Sequence, residues 1–138
     1  MLVVGYGPVG MTCAALLAHY GLDVVAIEHH QNFYGLPRAG HLDGETMRIF
    51  QRLGIAESIE LVAQPVRGVQ IVTPEWEVLG NVEVGQSGSG WKPDQLAYQP
   101  DLEDIISARG EELGVRRFMG TTAEAVQQDV DGVRTVVR

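Results

Sequence analysis

A three-residue apolar run followed by glycines at fixed intervals leaves few folds open to this chain. Leu2-Val3-Val4 leads into Gly5-Tyr6-Gly7-Pro8-Val9-Gly10, a G-x-G-x-x-G spacing, and Met11 to Tyr20 then read as a helix. In a strand–turn–helix that binds a dinucleotide, each glycine has a mechanical task. Gly5 allows the sharp exit from the strand. Gly7 carries no Cβ, so a pyrophosphate can approach the backbone closely. Gly10 lets the helix lie tightly on the sheet. Pro8 suits the first helical turn, where its missing N–H has no intrahelical partner. The remaining N–H groups and the positive end of the helix dipole face an anion.

Glycine-rich turns of this spacing also occur in structural loops, so the following residues decide the matter. Gly21 is placed to close the helix as a C′ glycine. A second apolar strand, Val24 to Ile27, ends on Glu28, eighteen residues beyond Gly10. That spacing fits a carboxylate at the tip of a second parallel strand, accepting hydrogen bonds from the ribose hydroxyls of an adenosine. The same charge repels a 2′-phosphate, which disfavours NADP at this site.

With 138 residues the chain is long enough for one domain core but short for a cofactor enzyme. Ten Lys and Arg against eighteen Asp and Glu give a net charge of −8, a poor match for nucleic-acid phosphates. No window reaches membrane-spanning length, and no basic leader with a cleavage site precedes the first strand. Cys13 is the single cysteine. It excludes an intrachain disulfide, is compatible with a reducing cytoplasm, and reads as a packing residue of the first helix.

Beyond Glu28, His29 and His30 are adjacent, but sequence neighbours rarely point the same way and no cysteine or carboxylate cluster accompanies them. They read as rim or surface residues, and no metal is expected. Leu36-Pro37-Arg38-Ala39-Gly40-His41 places a cation between a proline and two small residues. Asp43 is a candidate cap for a helix through Met47, Phe50 and Leu53 that stops near Gly54, and a short helix follows from Ala56 to Val62. Val66 to Thr73 and Trp76 to Val84 read as a β-ribbon. The loop 85–90 is too short for an interdomain linker. A helix is expected from Asp101, with Leu102, Ile105, Ile106, Arg109 and Leu113 on one face and Gly114 as its stop. Val115 to Met119 reads as a strand of the first sheet. A hairpin closes the chain, Ala123 to Gln128 and Val133 to Val137 around Asp131-Gly132.

Taken together, these segments resemble the class A FAD-dependent aromatic hydroxylases of the para-hydroxybenzoate hydroxylase fold family. The residues that carry the resemblance are Val4 to Gly10, Leu36 to Asp43, Met47 to Gly54 and Tyr98-Gln99-Pro100-Asp101-Leu102-Glu103. Within that family they look most like the meta-hydroxyphenylpropionate hydroxylases. The resemblance implies an α/β, Rossmann-like FAD-binding domain with a β-ribbon belonging to the start of a substrate domain. Residues 1–64 would form the first part of the FAD-binding domain, 65–95 the ribbon, and 96–138 a second FAD-binding part.

It also implies site roles. Gly5, Gly7, Pro8, Val9 and Gly10 would hold the FAD pyrophosphate, and Glu28 the adenosine ribose. Arg38 would lie along the cofactor, Ala39 and Gly40 would allow close backbone approach, and Gln99 would contact FAD from the start of its helix. His41 faces either the flavin and substrate or its own loop. NADH or NADPH would reduce the flavin, and O₂ and a small aromatic ring would be the other reactants. No catalytic residue is assigned. The family's later Asp-Gly and Gly-Asp segments have no counterpart in a matching context, so the chain reads as an incomplete, N-terminal portion. Apolar surface left uncovered makes a homodimer an expectation. Two other readings stand beside this one: an NAD-dependent dehydrogenase domain, and a non-catalytic nucleotide-binding module.

Overall fold

The structure is a computed structural model describing residues 1–33, 35–36 and 40–138. Two compact units emerge: Met1–Leu36 with Leu102–Arg138, and Pro37–Asp101.

The first unit opens with β1 (Leu2–Val4), α1 (Pro8–His19) and β2 (Val25–Glu28). β1 and β2 run parallel, Leu2 opposite Val25 and Val4 opposite Ile27. Antiparallel neighbours can turn directly, but parallel ones need a crossover, and α1 supplies it. Its buried face is Met11, Ala14 and Ala15, small enough for the helix to approach the sheet. Gly21, at φ 83°, follows the C-cap as expected and donates its N–H to Ala18 O. β8 (Arg116–Met119) adds to the other side of β2, also parallel, giving the order β1-β2-β8. The chain then closes with the hairpin β9 (Ala123–Asp129) and β10 (Gly132–Val137). Asp129 Oδ1 accepts from the N–H groups of both Asp131 and Gly132, which builds the expected turn.

In the second unit, β3 (His41–Asp43) and β4 (Ala63–Pro65) flank β7 (Asp94–Ala97) in an antiparallel sheet. The helices α2 (Gly44–Leu53) and α3 (Ala56–Val62) fall where the sequence places them. Met47, Phe50 and Leu53 recur on one face of α2 and, with Ile59, are at most 3% exposed. Burying each is worth about 1.5–3 kcal/mol. Gly54 ends α2 at φ 74°, a conformation that costs glycine little.

The expected cap of α2 is present. Asp43 Oδ1 accepts from Thr46 N–H at 2.7 Å. Hydrogen bonding to Thr46 holds this carboxyl below its ordinary range. Asp43→Ala is therefore expected to cost about 1 kcal/mol in denaturant unfolding at neutral pH. Because the folded value is depressed, that stabilisation is present above the ordinary aspartate pKa and is lost as pH falls through the folded one. The variant's deficit should shrink in acid.

Several boundaries differ from expectation. β3, β4 and β7 have no signature in the sequence, because strands of three or four residues are too short to display a period. The ribbon is shorter than 66–84, with β5 (Gly68–Val72) and β6 (Val78–Glu83) joined by a structured turn. Thr73 organises that turn, its Oγ1 accepting from the N–H groups of Glu75 and Glu77. Helix α4 (Gln99–Glu112) begins two residues before Asp101. Pro100 is tolerated there because the first turn needs no N–H donor.

Candidate functional site

The turn between β1 and α1 is built as the glycine spacing requires. Gly5, at φ 95°, donates its N–H to Ile27 O at 2.8 Å, so the strand's last ladder bond and the reversal of direction coincide. An added Cβ at Gly10 would overlap the carbonyl oxygen of Gly5, so only glycine allows the helix to lie this close. Among the described residues nothing lies within 4 Å of such a Cβ at Gly7, which leaves its backbone open to the approach of a ligand.

Gly7 is the N-cap of α1 in extended conformation, and among the described residues no side chain caps the helix. Pro8 occupies the first turn and no acidic residue lies in it. The helix therefore presents free N–H groups and its positive end without competition from a carboxylate. Beside it lies an open groove of about 500 Å³ whose lining includes Val3, Gly5, Gly7, Gly10 and Cys13. Cys13 corrects one expectation: it is exposed, because Met11, Ala14 and Ala15 take the buried face.

Glu28 ends β2 next to this turn. Its Oε2 accepts from Tyr6 N–H at 2.9 Å and its Oε1 from His30 N–H at 3.0 Å. Burial pushes its carboxyl pKa up, but those two backbone N–H groups and the neighbouring histidines outweigh it, so the net direction is down. The carboxylate is held charged and oriented. Tyr6 itself was no sequence candidate. Its ring is 2% exposed, tilted against Phe33 at 6.3 Å between centroids, and Gly110 leaves room for its hydroxyl. The ring anchors the backbone N–H that orients Glu28.

In the second unit, Gly40 accepts the N–H of Ala97 at 2.7 Å, and a Cβ on Gly40 would overlap Ala97 O. Close packing on the strand is thus one reason for glycine here. Gln99 starts α4 and is buried. His41 Nε2 lies 2.9 Å from Asp94 Oδ1, so its imidazole has a partner within its own sheet. Gln95, fully buried on β7, was invisible to sequence reasoning, and its side-chain amide has no hydrogen-bond partner among the described residues. Arg38 and Ala39 lie outside the described residues.

A parallel β-α-β turn with an uncapped helix N-terminus and an oriented acid at the tip of the second strand defines a nucleotide-binding unit. The whole chain, residues 1–138, matches the family described as FAD binding domain, and it belongs to that family. Among curated proteins it is 42% identical over 136 residues to a probable NADH-specific resorcinol 4-hydroxylase of Rhodococcus jostii, covering 95% of this chain and 25% of that protein. It is 33% identical over 150 residues to 3-(3-hydroxy-phenyl)propionate/3-hydroxycinnamic acid hydroxylase 1 of Burkholderia vietnamiensis, covering 99% of this chain and 24% of the relative. Among solved structures, the flavin-dependent monooxygenase PieE, in complex with FAD and substrate, superimposes with a TM-score of 0.84 at 25% identity. That match covers 99% of this chain and 26% of PieE. The chain thus spans about a quarter of the length of each of these three proteins.

Proposed function

We propose that this chain is the FAD-binding portion of an NAD(P)H-consuming monooxygenase that hydroxylates a phenolic ring with O₂. The observation that carries the reading is the family match over all 138 residues. Gly5, Gly7, Pro8, Val9 and Gly10 hold the pyrophosphate through the uncapped end of α1, and Glu28 takes the ribose hydroxyls. A cofactor role for Arg38, Ala39, Gly40 and Gln99 rests on the family resemblance alone, which would have Arg38 supply a planar multi-donor cation. FAD, when bound, supplies the electron transfer from a nicotinamide and the activation of O₂. The chain's own residues bind and orient its adenosine end. The relative named as NADH-specific favours NADH as the reductant, and the relatives' names favour a phenol as the substrate.

Residues 65–95 are read as the start of a substrate domain. Val69, Ile71, Leu79 and Val82 of the ribbon are each at least half exposed, which supports a surface meant to be covered. A cytoplasmic location is part of the same reading, supported by the lone exposed thiol. No described helix is long and apolar enough to cross a membrane.

The test is to incubate the purified chain with FAD, remove free ligand, and record the visible spectrum. Retained flavin absorbance that excess ADP displaces is expected. Binding of NAD⁺ with no retention of FAD would favour a dehydrogenase domain instead. With NADH, O₂ and a panel of phenols, these 138 residues alone are expected to release no catechol. The groove beside α1 can hold the adenosine and pyrophosphate, but it does not enclose a flavin ring against water.

A further inference from the structure

From sequence His29 and His30 read as rim residues, yet the structure brings both imidazoles together with Glu28. Within this trio a carboxylate oxygen and two imidazole nitrogens lie within 4.8 Å of one another. We propose that Glu28, His29 and His30 form a site for a divalent transition-metal ion of the Zn²⁺ type, and that the metal competes with an adenosine ribose for Glu28. The competition half rests on the ribose role assigned to Glu28 above; the metal half does not.

Neighbouring side chains in a strand point to opposite faces. Here β2 ends at Glu28 and the backbone bends through His29 and His30, which removes that alternation. The two rings lie 3.7 Å apart between centroids, tilted by 43°. His29 Nδ1 is 2.8 Å from Glu28 Oε1. Four-coordinate zinc, with bonds of about 2.0–2.2 Å, holds its donors about 3.3–3.6 Å apart. Small rotations of exposed side chains close that difference.

The backbone beneath the trio is already fixed. Thr121 N–H donates to Glu28 O at 2.8 Å and Gly120 N–H to His30 O at 3.0 Å. The carboxylate is oriented by the Tyr6 and His30 N–H groups, the kind of support that holds a ligand ready for its ion. Imidazole and carboxylate together suit zinc and its neighbours rather than calcium or magnesium. Both histidines are exposed, so an ion can enter and water can complete its shell.

The experiment titrates Zn²⁺ into the nucleotide-free chain by calorimetry, in a Cys13→Ser background that removes the exposed thiol. One equivalent is expected to bind. His29→Gln and His30→Gln should each weaken uptake about tenfold or more. His19→Gln, on α1, should leave it unchanged. No saturable uptake, or unaltered uptake in the His29→Gln/His30→Gln double variant, overturns the site. Circular dichroism establishes that each variant is folded. In a second arm, saturating Zn²⁺ should weaken ADP binding in the parent more than in the double variant, a comparison that cancels chelation of the metal by ADP itself. If Zn²⁺ binds through the histidines and ADP affinity falls equally in both, the competition is overturned. If ADP fails to bind with or without metal, the ribose reading fails while the metal site stands.

Discussion

Gly10→Ala should unfold in denaturant with a stability loss of about 3 kcal/mol, the upper range for forcing a methyl into a packed site. The loss is large because the obstacle is the carbonyl oxygen of Gly5, a backbone atom that cannot rotate away. Either α1 lifts from β1 or the turn distorts, and both displace the N–H groups at the helix start. Affinity for ADP should therefore fall together with stability. Gly7→Ala separates the two effects. A Cβ there meets nothing within 4 Å among the described residues, and φ of −82° suits alanine. Its stability should change by less than about 1 kcal/mol, while ADP binding weakens because the methyl occupies the path of the pyrophosphate. Equal stability of Gly10→Ala and the parent in urea would contradict the close helix–strand contact. Unchanged ADP affinity in Gly7→Ala would move the pyrophosphate elsewhere.

Glu28→Ala is expected to weaken ADP by about 1.5–3 kcal/mol, roughly 10- to 150-fold, the range for hydrogen bonds to a charged group. Calorimetry with ADP tests the adenosine end alone, without a flavin ring. The same carboxylate links folding to pH. Its folded pKa lies below the ordinary value of 4.5 despite the opposing effect of burial. A depressed folded pKa contributes stability that is complete above the unfolded value and is lost as pH falls through the folded one. The parent should therefore lose stability below about pH 4.5 more steeply than Glu28→Ala. ADP affinity in the parent should fall over the same window, because a protonated carboxyl accepts less strongly. A flat acid limb in the parent, or identical limbs in parent and variant, would remove Glu28 from this role.

Legibility in the sequence followed the physics of each element. The β1-α1-β2 start could be read from Gly5, Gly7 and Gly10, because steric demands on a turn act over a few residues and leave glycines at fixed offsets. Asp43 and Gly54 bounded α2 for the same reason: a helix end must satisfy its own N–H and C=O groups locally. The fingerprint and the spacing to Glu28 likewise anticipated that the glycine turn and the acid at the strand tip meet.

Other features depend on contacts distant in sequence. The sheet β3-β7-β4 pairs β7 with segments about thirty and about fifty residues earlier in the chain, with strands too short to show alternation. The exposure of Cys13 was set by which side of α1 the sheet covers, a choice that the near-uniform apolarity of Met11 to Leu17 leaves open. The orientation of Glu28 came from Tyr6, whose ring is seated against Phe33 and under Gly110, more than a hundred residues away in sequence. His29 and His30 show the division most plainly. Their adjacency argued against a shared ligand, since an extended backbone sends neighbours to opposite faces. Local sequence by itself determined the turn, the helix ends and the acid at the strand tip. Only the tertiary structure decided where β2 stops and how Gly120 and Thr121 hold the bend beyond it, because those hydrogen bonds join residues about ninety positions apart.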